Sequence, residues 1–147
     1  MKKTFIYGLF GLLACLFSVT MASCGDDDDD DGSDGSLIGT WSMSESHNGE
    51  VYVRTLKISE KDWTLTTDIE YTENGKTNTE SVRIGGTYTV SGNVVTAVST
   101  ISEYKDGNGK WVSQNNPKTV TYTWTYTIKG NKLTITQDNY TEVYTRK

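Results

Sequence analysis

A chain of 147 residues, 35% of them hydrophobic, has room for one domain. Its formal net charge of −5 is concentrated at one place: Asp26 to Asp31 and Asp34 hold seven carboxylates, whereas Leu37 to Lys147 balance 12 Lys and Arg against 12 Asp and Glu. A near-neutral folded part lacks the basic footprint of nucleic-acid binding, so that partner class is set aside.

The first 23 residues have the architecture of a secretory leader. Lys2 and Lys3 form a short positive start, Phe5 to Leu16 an apolar core, and the small residues Ala22 and Ser23 precede Cys24. About 19 uncharged residues are borderline for a membrane span, so an uncleaved anchor is the alternative. Met21-Ala22-Ser23-Cys24 resembles a bacterial lipobox, with Met21 where Leu is usual. Leu12-Leu13-Ala14-Cys15 competes, but cutting there would leave a very short apolar core. With Cys24 as the lipidated residue, Cys15 departs with the leader, and the mature domain has neither free thiol nor disulfide. One acyl chain gives only marginal membrane binding. The resemblance implies two or three chains on Cys24, and so a lasting anchor.

Six adjacent aspartates repel one another into a solvated spacer. Residues 24–36 reach roughly 45 Å when fully extended. An acidic run directly after the lipidated cysteine also resembles the lipoprotein export signal of Bacteroidetes, which implies the outer face of the outer membrane. A calcium loop needs spaced ligands and a turn glycine, which the run lacks.

From Leu37 onward period-two patterning recurs without a helical stripe. Thr, Tyr, Trp and Val suit half-exposed strands, and 14 Gly with a single Pro allow many tight turns. The first strand, 37–47, contains Gly39-Thr40-Trp41 and ends at Asn48-Gly49, a hairpin signal. The second, 50–59, puts Tyr52, Leu56 and Ile58 on one face; Arg54 shares that parity, so it sits at a barrel mouth or needs a partner inside. Trp63, Leu65, Thr67, Ile69 and Tyr71 alternate with polar residues in the third, which ends before Asn74-Gly75. The fourth, 80–90, aligns Val82, Ile84, Gly86, Tyr88 and Val90, and Gly85-Gly86 predicts a bulge or sharp bend.

Tyr88 to Thr96 is echoed by Tyr126 to Thr134, 38 residues on, each as strand, Gly-Asn turn, strand. The fifth strand, 93–104, leads to Asp106-Gly107-Asn108-Gly109. The sixth is the cleanest: Val120, Tyr122, Trp124, Tyr126 and Ile128 on one face and threonines on the other. Strands over 131–137 and 140–146 complete eight. The expected fold is all-β, an eight-stranded antiparallel up-and-down barrel, because closure removes both edges. A β-sandwich is the alternative.

Leu37-Ile38-Gly39-Thr40-Trp41, Gly86 to Val90, Tyr126 to Thr134 and Val143-Tyr144-Thr145-Arg146 together resemble the lipocalin-like domains of small Bacteroidetes lipoproteins. The resemblance covers 37–147 and implies no catalytic residues. It implies that Trp41 packs across the closed end of the barrel, with Arg146 as a cation–π partner.

Enzyme signatures are lacking. His47 adjoins a turn, and neither G-x-S-x-G nor HExxH occurs. Asp68 and Glu70 share the strand face opposite the apolar one and belong outside. Asp106-Gly107-Asn108-Gly109 opens like a calcium loop, but Lys110 and Trp111 break the pattern. No catalysis, metal or cofactor is expected. Trp63, Tyr71, Tyr88, Tyr122, Trp124 and Tyr126 share the apolar parity. They line a cavity for a small apolar or sugar-like ligand, or pack as an ordinary core. Trp111 is either an exposed binding aromatic or packs at the rim of an early-starting strand. The expected molecule is a monomer, an outer-membrane lipoprotein held to the membrane by Cys24 and exposed at the cell surface. Its role is to bind a ligand, or alternatively to serve as a structural or protein-interaction module of the envelope.

Overall fold

The computed structural model describes residues 36–115 and 117–147. The leader expected over 1–23, with Cys15, Cys24 and the aspartate run, lies outside the described residues. All described residues fall in one unit, Ser33–Lys147. Its strands are β1 (Gly39–His47), β2 (Glu50–Ile58), β3 (Asp62–Glu73), β4 (Lys76–Ser91), β5 (Val94–Lys105), β6 (Trp111–Ser113), β7 (Val120–Lys129), β8 (Lys132–Gln137) and β9 (Tyr140–Arg146).

Every neighbouring pair is antiparallel, β7 follows β5 in space, and β9 returns to β1, closing an eight-stranded up-and-down, lipocalin-like barrel. The extra strand β6 pairs only with the upper end of β5, through Glu103↔Ser113 to Lys105↔Trp111. The expected eight strands are all present. The fourth begins earlier than expected, at Lys76 rather than 80, because polar Lys76 to Thr79 continue the ladder with β3. Such a stretch carries no alternating apolar signal.

Local chemistry sets the hairpins. Asn48-Gly49 and Asn74-Gly75 take φ of 52° and 83°, and of 54° and 73°, the left-handed pair that matches strand twist. The two echoed segments form equivalent hairpins, β4–β5 and β7–β8. Gly92 and Gly130 turn them with φ of 60° and 58°. The Asn93 and Asn131 carbonyls each accept a bond from a neighbouring strand, from the N–H groups of Tyr126 and Arg146.

Gly85-Gly86 makes the barrel corner, with the β4–β5 register shifting between them. A Cβ on Gly86 would stand 2.0 Å from the Val98 carbonyl oxygen, backbone that cannot step aside. Gly86→Ala is therefore expected to lower stability by about 3 kcal/mol or to prevent folding, read by thermal melting. An unchanged melting curve would refute this account of the corner.

The core gathers at one end. Trp41, Leu56, Ile58, Trp63, Val95, Ala97, Ile128, Leu133 and Tyr144 are buried and face inward, and Leu37 joins them from the segment that precedes β1. Trp41 is fully enclosed; its Nε1–H donates to the Leu37 carbonyl at 2.9 Å. The Arg146 guanidinium lies 4.1 Å from its ring centre and donates to the carbonyls of Ser36, at 2.6 Å, and Ile38, at 3.2 Å. Gly39, at φ 150°, leaves the space this needs, since a Cβ there would sit 2.8 Å from the guanidinium. Here the Gly-Thr-Trp and Tyr-Thr-Arg motifs meet and close the barrel.

Closure is narrow. β1 and β9 share only Trp41↔Arg146 and Ser42↔Thr145, so above that level the two strands part. Every strand nevertheless finds its partners, and the core its neighbours, within Ser36–Lys147, the contact pattern of a unit able to fold alone.

Candidate functional site

Above the packed end, the barrel interior turns polar on the side where the ladder is missing. Arg54 of β2 points inward and is 12% exposed along its side chain. Its guanidinium pairs with Glu142 of β9, 15% exposed, and at 3.0 Å with the more open Glu45 of β1. The Tyr144 hydroxyl donates to Glu142 at 2.7 Å, and Tyr140 lies beside Arg54. The sequence left Arg54 between a mouth position and an internal partner, and both hold. The ion pairs span the open seam and do there what the backbone ladder does lower down.

Burial costs each charge its hydration, and the neighbouring carboxylates repay it for Arg54 by holding the guanidinium charged. Burial, with Glu142 beside it, also pushes the Tyr144 hydroxyl far above its ordinary value. Tyr52 donates to Glu50 at the rim, and this bond, assisted by burial, raises its pKa to about 12. A raised folded-state pKa favours the protonated form. The resulting stability is complete below pH 10 and is lost as the pH rises through about 12. Tyr52→Phe should make that alkaline limb less steep, with the other raised tyrosines still contributing, as measured by urea melts across this range.

Of the six aromatic side chains singled out by parity, five converge and one stands apart. Trp63 and Tyr122 meet edge to face, with ring centres 6.1 Å apart, and Trp63 Nε1–H donates to the Thr87 carbonyl at 3.1 Å. Trp124 and Tyr126 make a second edge contact at 6.4 Å. Tyr88 packs against the same core, and its hydroxyl donates to the Ser59 carbonyl in the β2–β3 turn at 2.6 Å. Burial raises the pKa of Tyr88 and Tyr122. Tyr71 does not join them. It belongs to the β3–β4 hairpin at the open end, where it donates to Glu80 at 2.9 Å.

Tyr88, Tyr122, Trp124 and Tyr126 face inward yet remain half-buried, unlike Trp41 and Tyr144. A shallow depression of about 270 Å³, lined by Gly39, Thr40, Lys57, Ile58, Asp62 and Trp63 among others, lies at the closed end. Trp63 is its one member from the aromatic set.

The chain matches no family model, no curated protein and no solved structure.

The remaining sequence candidates fall on the outer wall and rim. Trp111 starts β6 and faces outward, with Arg83 at 4.3 Å and Lys105 at 5.2 Å from its ring centre. Arg83 in turn holds Glu103, its Nε donating at 2.8 Å. This packing matches the rim reading, although β6 is a separate strand and not an extension of β7. Asp106 accepts from the N–H groups of Asn108 and Lys110, both at 2.9 Å, so its carboxylate serves its own turn. Asp68 accepts from Ser81 at 2.5 Å on the outer wall, and His47 ends β1 at the open rim. Among the described residues no three His, Cys, Asp or Glu side chains group as metal ligands do. Sequence reasoning missed Glu45, Glu142, Tyr140 and Tyr144 as members of the polar cluster. Their inward parity was a usable signal, shared with Arg54.

Proposed function

We propose that this chain is a lipid-anchored protein of the bacterial cell envelope whose barrel binds a small apolar or sugar-like ligand without catalysing a reaction. The observation that carries the binding part is the accessibility of the inward-facing aromatics. Tyr122, Trp124 and Tyr126 point into the barrel but stay half-exposed, so apolar ring surface and polar ring edges remain available inside. The anchoring part rests on the sequence: the leader, the lipobox-like Met21 to Cys24 and the acidic run after it. These resemble lipocalin-like lipoproteins of Bacteroidetes, and with that resemblance comes an outer-membrane, surface-exposed placement.

A second reading has its own support. The Trp63–Tyr122 contact and the Arg54 cluster occupy interior space, as in a barrel filled by its own side chains. In that reading the protein acts through its outer surface, as a structural or interaction module.

Two experiments test the proposal. In the full chain expressed in a bacterial envelope, Cys24→Ala should move the protein from the membrane fraction to the soluble one; continued membrane partition rejects lipidation at Cys24. For binding, tryptophan fluorescence is titrated with oligosaccharides, fatty acids and haem. Saturable quenching that disappears in Trp124→Phe supports a ligand inside the barrel. No response from any class favours the filled barrel.

A further inference from the structure

The charges that cancel along the sequence separate in space. Alternating strand direction places segment 36–38, the turns at 59–61, 92–93 and 130–131, and the last residues of β9 at the closed end. Lys57, Lys61, Lys129, Lys132, Arg146 and Lys147 lie there, and the acidic side chains opposing them are Glu60 and Asp62. The other ten carboxylates between Leu37 and Lys147 lie in the open half with six cations. The ion pairs of Arg54 with Glu45 and Glu142, and of Arg83 with Glu103, also belong to that open half. The barrel is a dipole with a basic base and an acidic mouth.

The basic residues form a continuous arc. Lys57 pairs with Thr40, whose carbonyl accepts the Lys147 N–H; the Arg146 N–H bonds the Asn131 carbonyl; and Lys132 sits opposite Thr145 and Lys129. All five lysines are exposed. Two large apolar side chains are exposed on the same end, Ile38 at 43% and Val90 at 44%. Charge alone would suit any polyanion. Long lysine stems around exposed aliphatic groups suit a surface with phosphates above and hydrocarbon below. The chain also enters the barrel here, since Arg146 holds the Ser36 and Ile38 carbonyls.

We propose that the closed end of the barrel is a docking surface for an anionic phospholipid membrane, on which the domain stands with its acidic mouth directed away. This surface acts without the lipid on Cys24, so the two ideas fail separately.

The test uses the fragment Ser33–Lys147, which lacks Cys24 and contains the whole barrel. It is sedimented with vesicles of phosphatidylcholine alone, or of phosphatidylcholine mixed with phosphatidylglycerol. Binding is expected only to the mixed vesicles and only at low salt. Each lysine near such a surface is worth about fivefold in affinity. The triple variant Lys57→Glu, Lys129→Glu, Lys132→Glu should therefore weaken binding by at least about a hundredfold. Reversal of Lys76, Lys110 and Lys118 at the open end changes net charge equally and should leave binding near the parent level. Circular dichroism checks that both variants are folded. Failure of the parent to bind mixed vesicles at low salt overturns the proposal. So does equal weakening by the two triple variants, which would make net charge, and not this surface, the cause.

Discussion

Arg54→Ala should lower stability by about 3 kcal/mol, a fall in Tm of roughly 15 °C for a domain of this size. The substitution strands Glu142, which is 15% exposed and loses its only cation among the described ion pairs. It also removes the bridge across the part of the β1–β9 seam that has no backbone ladder. The loss exceeds that of a surface ion pair, typically under about 1 kcal/mol, because the charges sit inside the barrel. The double variant Arg54→Met, Glu142→Leu removes both charges and refills the volume. It should recover most of the loss, since an apolar pair has no buried charge to satisfy. Paired thermal melts decide the matter. A double variant no better than Arg54→Ala would show that the ion pair itself holds the seam, and that the stranded carboxylate is not the source of the loss.

Trp41→Ala should cost about 4 kcal/mol, enough to unfold a marginal domain at physiological temperature. Trp41 is fully enclosed at the centre of the closed end, and its removal leaves a cavity that the surrounding strands cannot collapse to fill. The indole also holds Leu37 through its N–H and supports Arg146. Losing it releases Ser36 to Ile38 and weakens the one place where β1 and β9 pair. Trp41→Phe keeps the aromatic face but not the donor and should cost roughly half as much. Urea unfolding measures both. A loss under about 1 kcal/mol for Trp41→Ala would mean that the closed end is held mainly by the hairpins.

Much of this molecule is legible from local pattern. Period-two alternation placed the eight barrel strands, because each inward side chain must be apolar wherever its strand crosses the core. Asn-Gly and Gly-Asn pairs marked turns that demand left-handed backbone, and Gly85-Gly86 marked the corner. Absence of a helical stripe, together with the penalty on free edges, favoured closure. The pairing of Trp41 with Arg146 was reachable because recurrent motifs stood at the two chain positions that meet.

Other features depended on which strands become neighbours and on how far they slide. Arg54 and Glu142 are 88 residues apart, and parity says only that both face inward. That they touch follows from closure, which sets β9 beside β1 and leaves the upper seam open. Tyr71 had the same parity as Trp63, yet the length of β3 carries it to the opposite end of the barrel. The short strand β6 was invisible because three residues hold no period, and only its pairing with β5 defines it. Charge shows the division most clearly. Composition determined that the cations and carboxylates between Leu37 and Lys147 cancel. Only antiparallel folding decided that the cations divide evenly between the two ends while ten of the 12 carboxylates gather near the mouth, leaving the base positive, because charges distant in sequence share an end when alternate turns do.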